Sequence, residues 1–165
     1  MNKCILAKKM GHALKVRGVM VAAAESCTGG GVAYAITAIA GSSAWFDRGF
    51  VTYTNRAKQE MLGVSGQTLA KYGAVSEAVV IEMALGARRN STAELTLAIS
   101  GIAGPGGATL DKPVGTVCFA WSYGEDELRS EVKQFSGERE AVREQSIVHA
   151  LHGVLRILDE PADVV

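Results

Sequence analysis

Cysteine is scarce in this sequence and poorly spaced for cross-linking. Cys4, Cys27 and Cys118 are its only three, an odd number without a Cys-x-x-Cys pair. That excludes a disulfide scaffold and a cysteine-based zinc site, and fits a reducing compartment. An excess of charge of one sign is missing as well: 17 Lys and Arg balance 17 Asp and Glu. Zero net charge leaves no electrostatic footprint for general DNA or RNA binding, but still allows a local basic pocket for one phosphate. No stretch approaches the roughly 20 apolar residues of a membrane span. The opening run from Met1 to Lys9 lacks the apolar centre of a signal peptide. The expected setting is the cytoplasm, with neither membrane nor nucleic acid as partner. Repeats, low-complexity tracts and linkers are also absent. The 165 residues therefore read as one domain, 1–165, long enough to bury a sizeable core.

What is present is the alternation of an α/β protein. Residues 3–17 predict a helix with Leu6, Met10, Ala13 and Leu14 on one face, stopped by Gly18. Val19 to Ala24 is a short, wholly apolar run, the pattern of a buried strand. A helix is expected over 28–39 and an aromatic, β-branched strand over 45–54. Asn55, Ser65 and Ser76 are placed to cap three further helices, ending near Leu62, Gly73 and Arg89. Strands are expected at 95–99 and 114–122, and a half-exposed or edge strand at 127–135. The last helix spans about 139–158, with Ile147, Leu151, Val154, Leu155 and Leu158 inward. Early β-α-β alternation implies parallel strands, and loop-joined late strands imply an antiparallel pair. The expected fold is a three-layer α/β/α domain with a mixed sheet of about five strands.

In open α/β sheets, ligands bind beyond the carboxyl ends of the strands. Three segments fall there. The first runs Glu25-Ser26-Cys27-Thr28-Gly29-Gly30 into a helix. Glycines let backbone approach a ligand, and a helix start offers N–H groups to an oxyanion. Ser26 reads either as a nucleophile or, with Thr28, as a simple helix cap. Cys27 is a rival nucleophile, with a small buried cysteine as its default. A cysteine hydrolase also needs a histidine, and His12, His149 and His152 all fall in expected helices. A serine can be activated by lysine instead, alone or with tyrosine. The second segment, Thr52 to Lys58, supplies Tyr53 and Lys58. A free lysine titrates at about 10.4, so Lys58 needs desolvation or a cationic neighbour such as Arg56 to act as a base. The bland alternative is an edge tyrosine and a solvated lysine. The third segment, Ser100-Gly101-Ile102-Ala103-Gly104-Pro105-Gly106-Gly107, is either a long turn or a nest of N–H groups for an anion. Arg139 and Arg143, one helical turn apart, either bind a phosphate or pair on the surface with Glu140 and Glu144; the surface reading is preferred.

These segments, with Gly73-Ala74-Val75-Ser76 and Pro113-Val114-Gly115-Thr116-Val117, occur in order. Together they closely resemble the CinA C-terminal domain family of nicotinamide-nucleotide amidases, over about residues 5–157. Longer members carry a separate N-terminal domain, and this sequence resembles the stand-alone form. The resemblance implies a serine amidase without metal or cofactor. Such an enzyme converts nicotinamide mononucleotide to nicotinate mononucleotide and ammonia, a step in pyridine-nucleotide recycling. It implies Ser26 as nucleophile, with Tyr53 and Lys58 as activating partners. Ser100 stands where the family more often has threonine and keeps the hydroxyl. Glu25, Thr28, Gly29, Gly30, Ser100, Gly101, Gly104, Gly106 and Arg139 are the expected substrate-binding residues. Two other readings stay open: an amidase for another small carboxamide, and a non-catalytic nucleotide-binding or interaction domain linked to competence or DNA damage. The high apolar content leads us to expect a homodimer.

Overall fold

The computed structural model of the chain describes residues 2–159, so the single-domain expectation for 1–165 extends outside the described residues at both ends. The elements run α1 (Lys3–Arg17), β1 (Val21–Glu25), α2 (Gly31–Thr37), a 3₁₀ turn (Ser42–Ala44), β2 (Phe46–Val51), α3 (Asn55–Leu62), α4 (Gly66–Tyr72), α5 (Glu77–Arg89), β3 (Leu95–Gly101), β4 (Thr116–Tyr123), β5 (Glu127–Gln134) and α6 (Arg139–Ile157). The sheet order is β2-β1-β3-β4-β5. β1 is parallel to both β2 and β3, while the β3–β4 and β4–β5 pairs are antiparallel. The mixed sheet of five strands is the one expected.

The strand period of two sorts side chains onto two cores. Val21 and Ala23, Leu95, Leu97 and Ile99, and Val117, Phe119 and Trp121 face the layer of α1, α2 and α6. Ala24, Ala98, Cys118 and Ala120 face the opposite layer, where α5 supplies Val79, Val80, Met83 and Ala87. Large side chains on one face and small ones on the other let α5 lie close to the sheet. On the large face, α6 approaches through Gly153. A Cβ there would sit 2.0 Å from the Trp121 ring, whose Nε1 donates to Ala150 O at 3.0 Å.

Several boundaries differ from the sequence reading, each for a local reason. α2 starts at Gly31 because Gly29 and Gly30 adopt φ of 58° and 94° and turn the chain first. Thr54, not Asn55, caps α3, its hydroxyl accepting from Ala57 N at 3.1 Å. β2 ends at Val51 rather than residue 54, and β4 begins at Thr116 after a turn in which Gly115 has φ of 93°. β3 runs two residues further than expected, carrying Ser100 and Gly101 into the strand. Ser65 and Ser76 cap α4 and α5 as expected. No helix among the described residues is long and apolar enough to cross a membrane.

Candidate active site

The site forms where β1, β2 and β3 end side by side. Beyond Glu25, the Ser26 N–H continues the parallel ladder by donating to Ile99 O at 3.1 Å. The Thr52 N–H donates to Glu25 O at 2.8 Å on the other side. The ends of the three strands are thus locked together, and the chain after Thr52 leads directly into α3.

Lys58 lies in the second turn of α3 and points back under the strand ends, only 1% exposed. Its Nζ lies 3.0 Å from Ser26 Oγ, 2.9 Å from Thr52 O and 3.4 Å from Tyr53 O. Among the described residues no carboxylate pairs with it. Burial pushes its pKa below the ordinary 10.5 because the charged form loses water. The solvated-lysine reading therefore does not hold. Ser26 is itself 7% exposed.

Ser26 does not cap α2, and neither does Thr28. The N-cap position is Gly30, and the first amides of α2 are taken by Glu25, whose Oε1 and Oε2 accept from Val32 N and Ala33 N at 2.8 and 3.1 Å. This corrects the expectation that Glu25 binds substrate: it is fully buried, with both oxygens committed to the helix. The Thr28 side chain is also fully buried, and its hydroxyl has no partner among the described residues.

Cys27 lines the cavity beside Ser26, and burial pushes its thiol up to about 11. It is a thiol rather than a thiolate at neutral pH, which weakens it as a nucleophile. Gly101 closes the floor. A Cβ there would meet the Val117 side chain at 2.7 Å and Cys27 Sγ at 3.1 Å.

Tyr53 lines the same cavity as Ser26, but among the described residues its hydroxyl is not bonded to the serine. Tyr53 is 57% exposed, and its hydroxyl accepts from Arg139 Nη2 at 2.9 Å. Arg139 Nη1 also donates to Gly104 O at 2.8 Å. Arg139 thereby ties the second and third strand-end segments together rather than pairing with Glu140 or Glu144. Arg143 does pair with Glu140, but its Nε and Nη2 also donate to Cys27 O at 3.1 Å and Thr28 O at 3.4 Å. The preferred surface reading of the two arginines is corrected: both reach inward to loops of the site. Glu144 pairs with Lys3 instead.

The resulting cavity has a volume of about 170 Å³ and is lined by Ser26, Cys27, Tyr53, Asn55, Lys58, Ala74, Val75, Ser100, Gly101, Ala103 and Arg139. It brings together Ser26, Tyr53, Lys58, Ser100, Gly101 and Arg139 from the sequence reading. Thr28, Gly29, Gly30, Gly104 and Gly106 do not line it. Asn55, read as a cap and as part of the Thr52–Lys58 segment, and Ala74, Val75 and Ala103, seen only within motifs, were missed as lining residues; their sole signal was those motifs. The histidines are elsewhere. His12 is exposed, and His149 sits against Phe119, Trp121 and Phe135 with Nε2 2.6 Å from Glu131. No cluster of three or more metal-ligating side chains occurs among the described residues.

These features define a three-layer α/β protein with a buried serine–lysine pair in a cavity at its strand ends. The chain belongs to the CinA C-terminal domain family, whose model matches residues 4–158. It is 56% identical over 151 residues to the nicotinamide-nucleotide amidohydrolase PncC of Enterobacter agglomerans, covering 92% of each chain. It is 49% identical over 152 residues to the protein of the same name from Pseudomonas putida, covering 92% of this chain and 94% of that one. Among solved structures, the competence/damage inducible protein CihA from Agrobacterium tumefaciens matches with a TM-score of 0.93 at 42% identity, over 97% of both chains.

Proposed function

We propose that this chain is a serine amidase that releases the carboxamide nitrogen of nicotinamide mononucleotide as ammonia, leaving nicotinate mononucleotide, within pyridine-nucleotide recycling in the cytoplasm. The names of the similar amidohydrolases support the substrate. The observation that carries the chemistry is the 3.0 Å approach of buried Lys58 Nζ to Ser26 Oγ.

A neutral lysine amine has two N–H donors and one lone pair. The two carbonyls, Thr52 O and Tyr53 O, suit the donors, and the Ser26 hydroxyl suits the lone pair. Lys58 accepts the Ser26 proton as Oγ attacks the carboxamide carbon. The Gly29 N–H is already bonded to Ser26 O, so the oxyanion falls to another backbone N–H of the turn after Ser26, where Cys27 is the residue that lines the cavity. Arg143 braces this turn by donating to Cys27 O and Thr28 O. Lys58 then returns its proton to the nitrogen, ammonia leaves, and an acyl-Ser26 ester remains. Water, deprotonated by Lys58, hydrolyses the ester and restores the serine. Arg139 and the Gly101–Gly107 loop face the rest of the nucleotide.

Ser26→Ala tests the reading through ammonia release from nicotinamide, the mononucleotide and the dinucleotide. The wild type is expected to favour the mononucleotide, and the variant to lose at least about a thousandfold in rate. A variant with wild-type ammonia release refutes the serine chemistry. A wild type that favours another carboxamide refutes the substrate.

A further inference from the structure

The cavity at Ser26 and Lys58, about 170 Å³, is smaller than the roughly 300–1,000 Å³ that small-molecule sites occupy. A second hollow of about 400 Å³ abuts it. The two share Ala103 and Arg139, so Arg139 stands as the partition between them. Together they fall within the usual range. The second hollow has apolar walls in Ala103, Pro105 and Val114, and one acidic group, Glu138, at the start of α6. Glu138 occupies the N-cap position of α6, yet its side chain makes no capping hydrogen bond. No hydrogen bond or ion pair holds its carboxylate among the described residues.

We infer that the second hollow is the sugar subsite of the active site, with the Glu138 carboxylate accepting hydrogen bonds from the vicinal hydroxyls of a ribose; this rests on the nucleotide-amidase reading. A carboxylate presents two acceptor oxygens and no donor, which matches two adjacent hydroxyl donors. An acidic side chain reading a ribose hydroxyl is a recurring device in α/β nucleotide sites. The order of groups also fits. A carboxamide held at Ser26 fills the small cavity with its ring, and the substituent on the ring nitrogen passes Arg139 into the larger one. Pro105 and Val114 pack the apolar face of the sugar. The negative Glu138 repels a phosphate, so the phosphate lies away from it, toward positive groups.

The competing role for Glu138 is structural, as a negative charge at the positive end of α6. Ammonia release separates the two roles when wild type, Glu138→Ala and Glu138→Gln are each assayed with nicotinamide mononucleotide and with its 2′-deoxyribose counterpart. Glu138→Ala is expected to lower kcat/KM for the ribose substrate by roughly tenfold or more, carried by KM, while changing the deoxy substrate by about twofold or less. Glu138→Gln, which keeps one acceptor oxygen, falls between. Equal loss on both substrates, or no loss on the ribose substrate, overturns the inference and leaves the amidase reading intact. A wild type that releases no ammonia from the mononucleotide removes the amidase reading, and this inference with it.

Discussion

At the scale of single residues, the decisive question is the charge on Lys58. Removing an ammonium from water costs several kcal/mol even after the protein relaxes. Lys58 is buried, and among the described residues no carboxylate offsets that cost. The influence that raises its pKa is a Cys27 thiolate, and Cys27 itself titrates at about 11, so that influence is missing at neutral pH. A base must be neutral to take the Ser26 proton. Ammonia release is therefore expected to fall as pH falls and to reach a plateau on the alkaline side, with a midpoint below 10.5. Lys58→Arg stays protonated at every accessible pH and is expected to lose at least about a hundredfold in kcat. A rate whose rising limb has its midpoint at or above 10.5 argues against a neutral Lys58 as the base. Tyr53 and Lys58 were equal partners for Ser26 on the sequence. In the structure Lys58 touches the hydroxyl, whereas the Tyr53 hydroxyl is held by Arg139.

At the scale of elements, α6 reaches both the site and the far edge of the sheet. Arg143 on α6 clamps the carbonyls of Cys27 and Thr28, bracing the turn that follows Ser26. Its loss affects the transition state more than ground-state binding. Arg143→Met is expected to lower kcat by about ten- to a hundredfold with KM within about twofold, and Arg143→Lys to recover part of it. Steady-state kinetics decide this: a rise in KM at constant kcat makes Arg143 a substrate contact instead. In its C-terminal half, α6 is joined to β5. Glu131 accepts from Arg156 and pairs with His149, both on α6. Burial works to raise the Glu131 pKa, but the hydrogen bonds from His149 and Arg156 outweigh it and hold the carboxyl below the ordinary 4.5. A carboxyl depressed in the folded state stabilises the fold above its unfolded value and ceases to as pH falls through the folded value. Glu131→Gln is therefore expected to cost about 1 kcal/mol near neutral pH, or about 2–4 °C in Tm. The difference should shrink below about pH 4.5. Thermal melts across that range check it, and a constant difference sinks it. The helices and strands themselves were largely readable from the periodicity of Leu6, Met10 and Leu14 or of Val79, Val80 and Met83. Element ends were less readable, because turns such as Gly29–Gly30 and the Thr54 cap depend on which neighbour the chain must meet.

At the scale of the whole molecule, β2 and β5 are the edge strands of the sheet among the described residues. On the α5 side of the sheet, Leu128 and Val132 of β5 are 44% and 50% exposed. They are the surface on which we propose that a second copy packs. Sedimentation equilibrium is expected to give a dimer mass for wild type and a monomer mass for Val132→Glu; a monomeric wild type rejects the proposal. The sequence alone determined the three layers and the mixed sheet, because strand and helix periods are local properties of neighbouring residues. It also determined that the Ser26, Tyr53–Lys58 and Ser100–Gly107 segments gather at one end of the sheet, because parallel strands align their carboxyl ends. Only the tertiary structure decided that Lys58, 32 residues away, meets Ser26, that Arg139 crosses 86 residues to Tyr53, and that Arg143 crosses 116 to Cys27. Only it decided that Glu25 is a buried brace for α2 rather than a ligand. Such pairings follow from strand order and register, which place residues distant in the chain within hydrogen-bond reach, and no local pattern in the sequence records that distance.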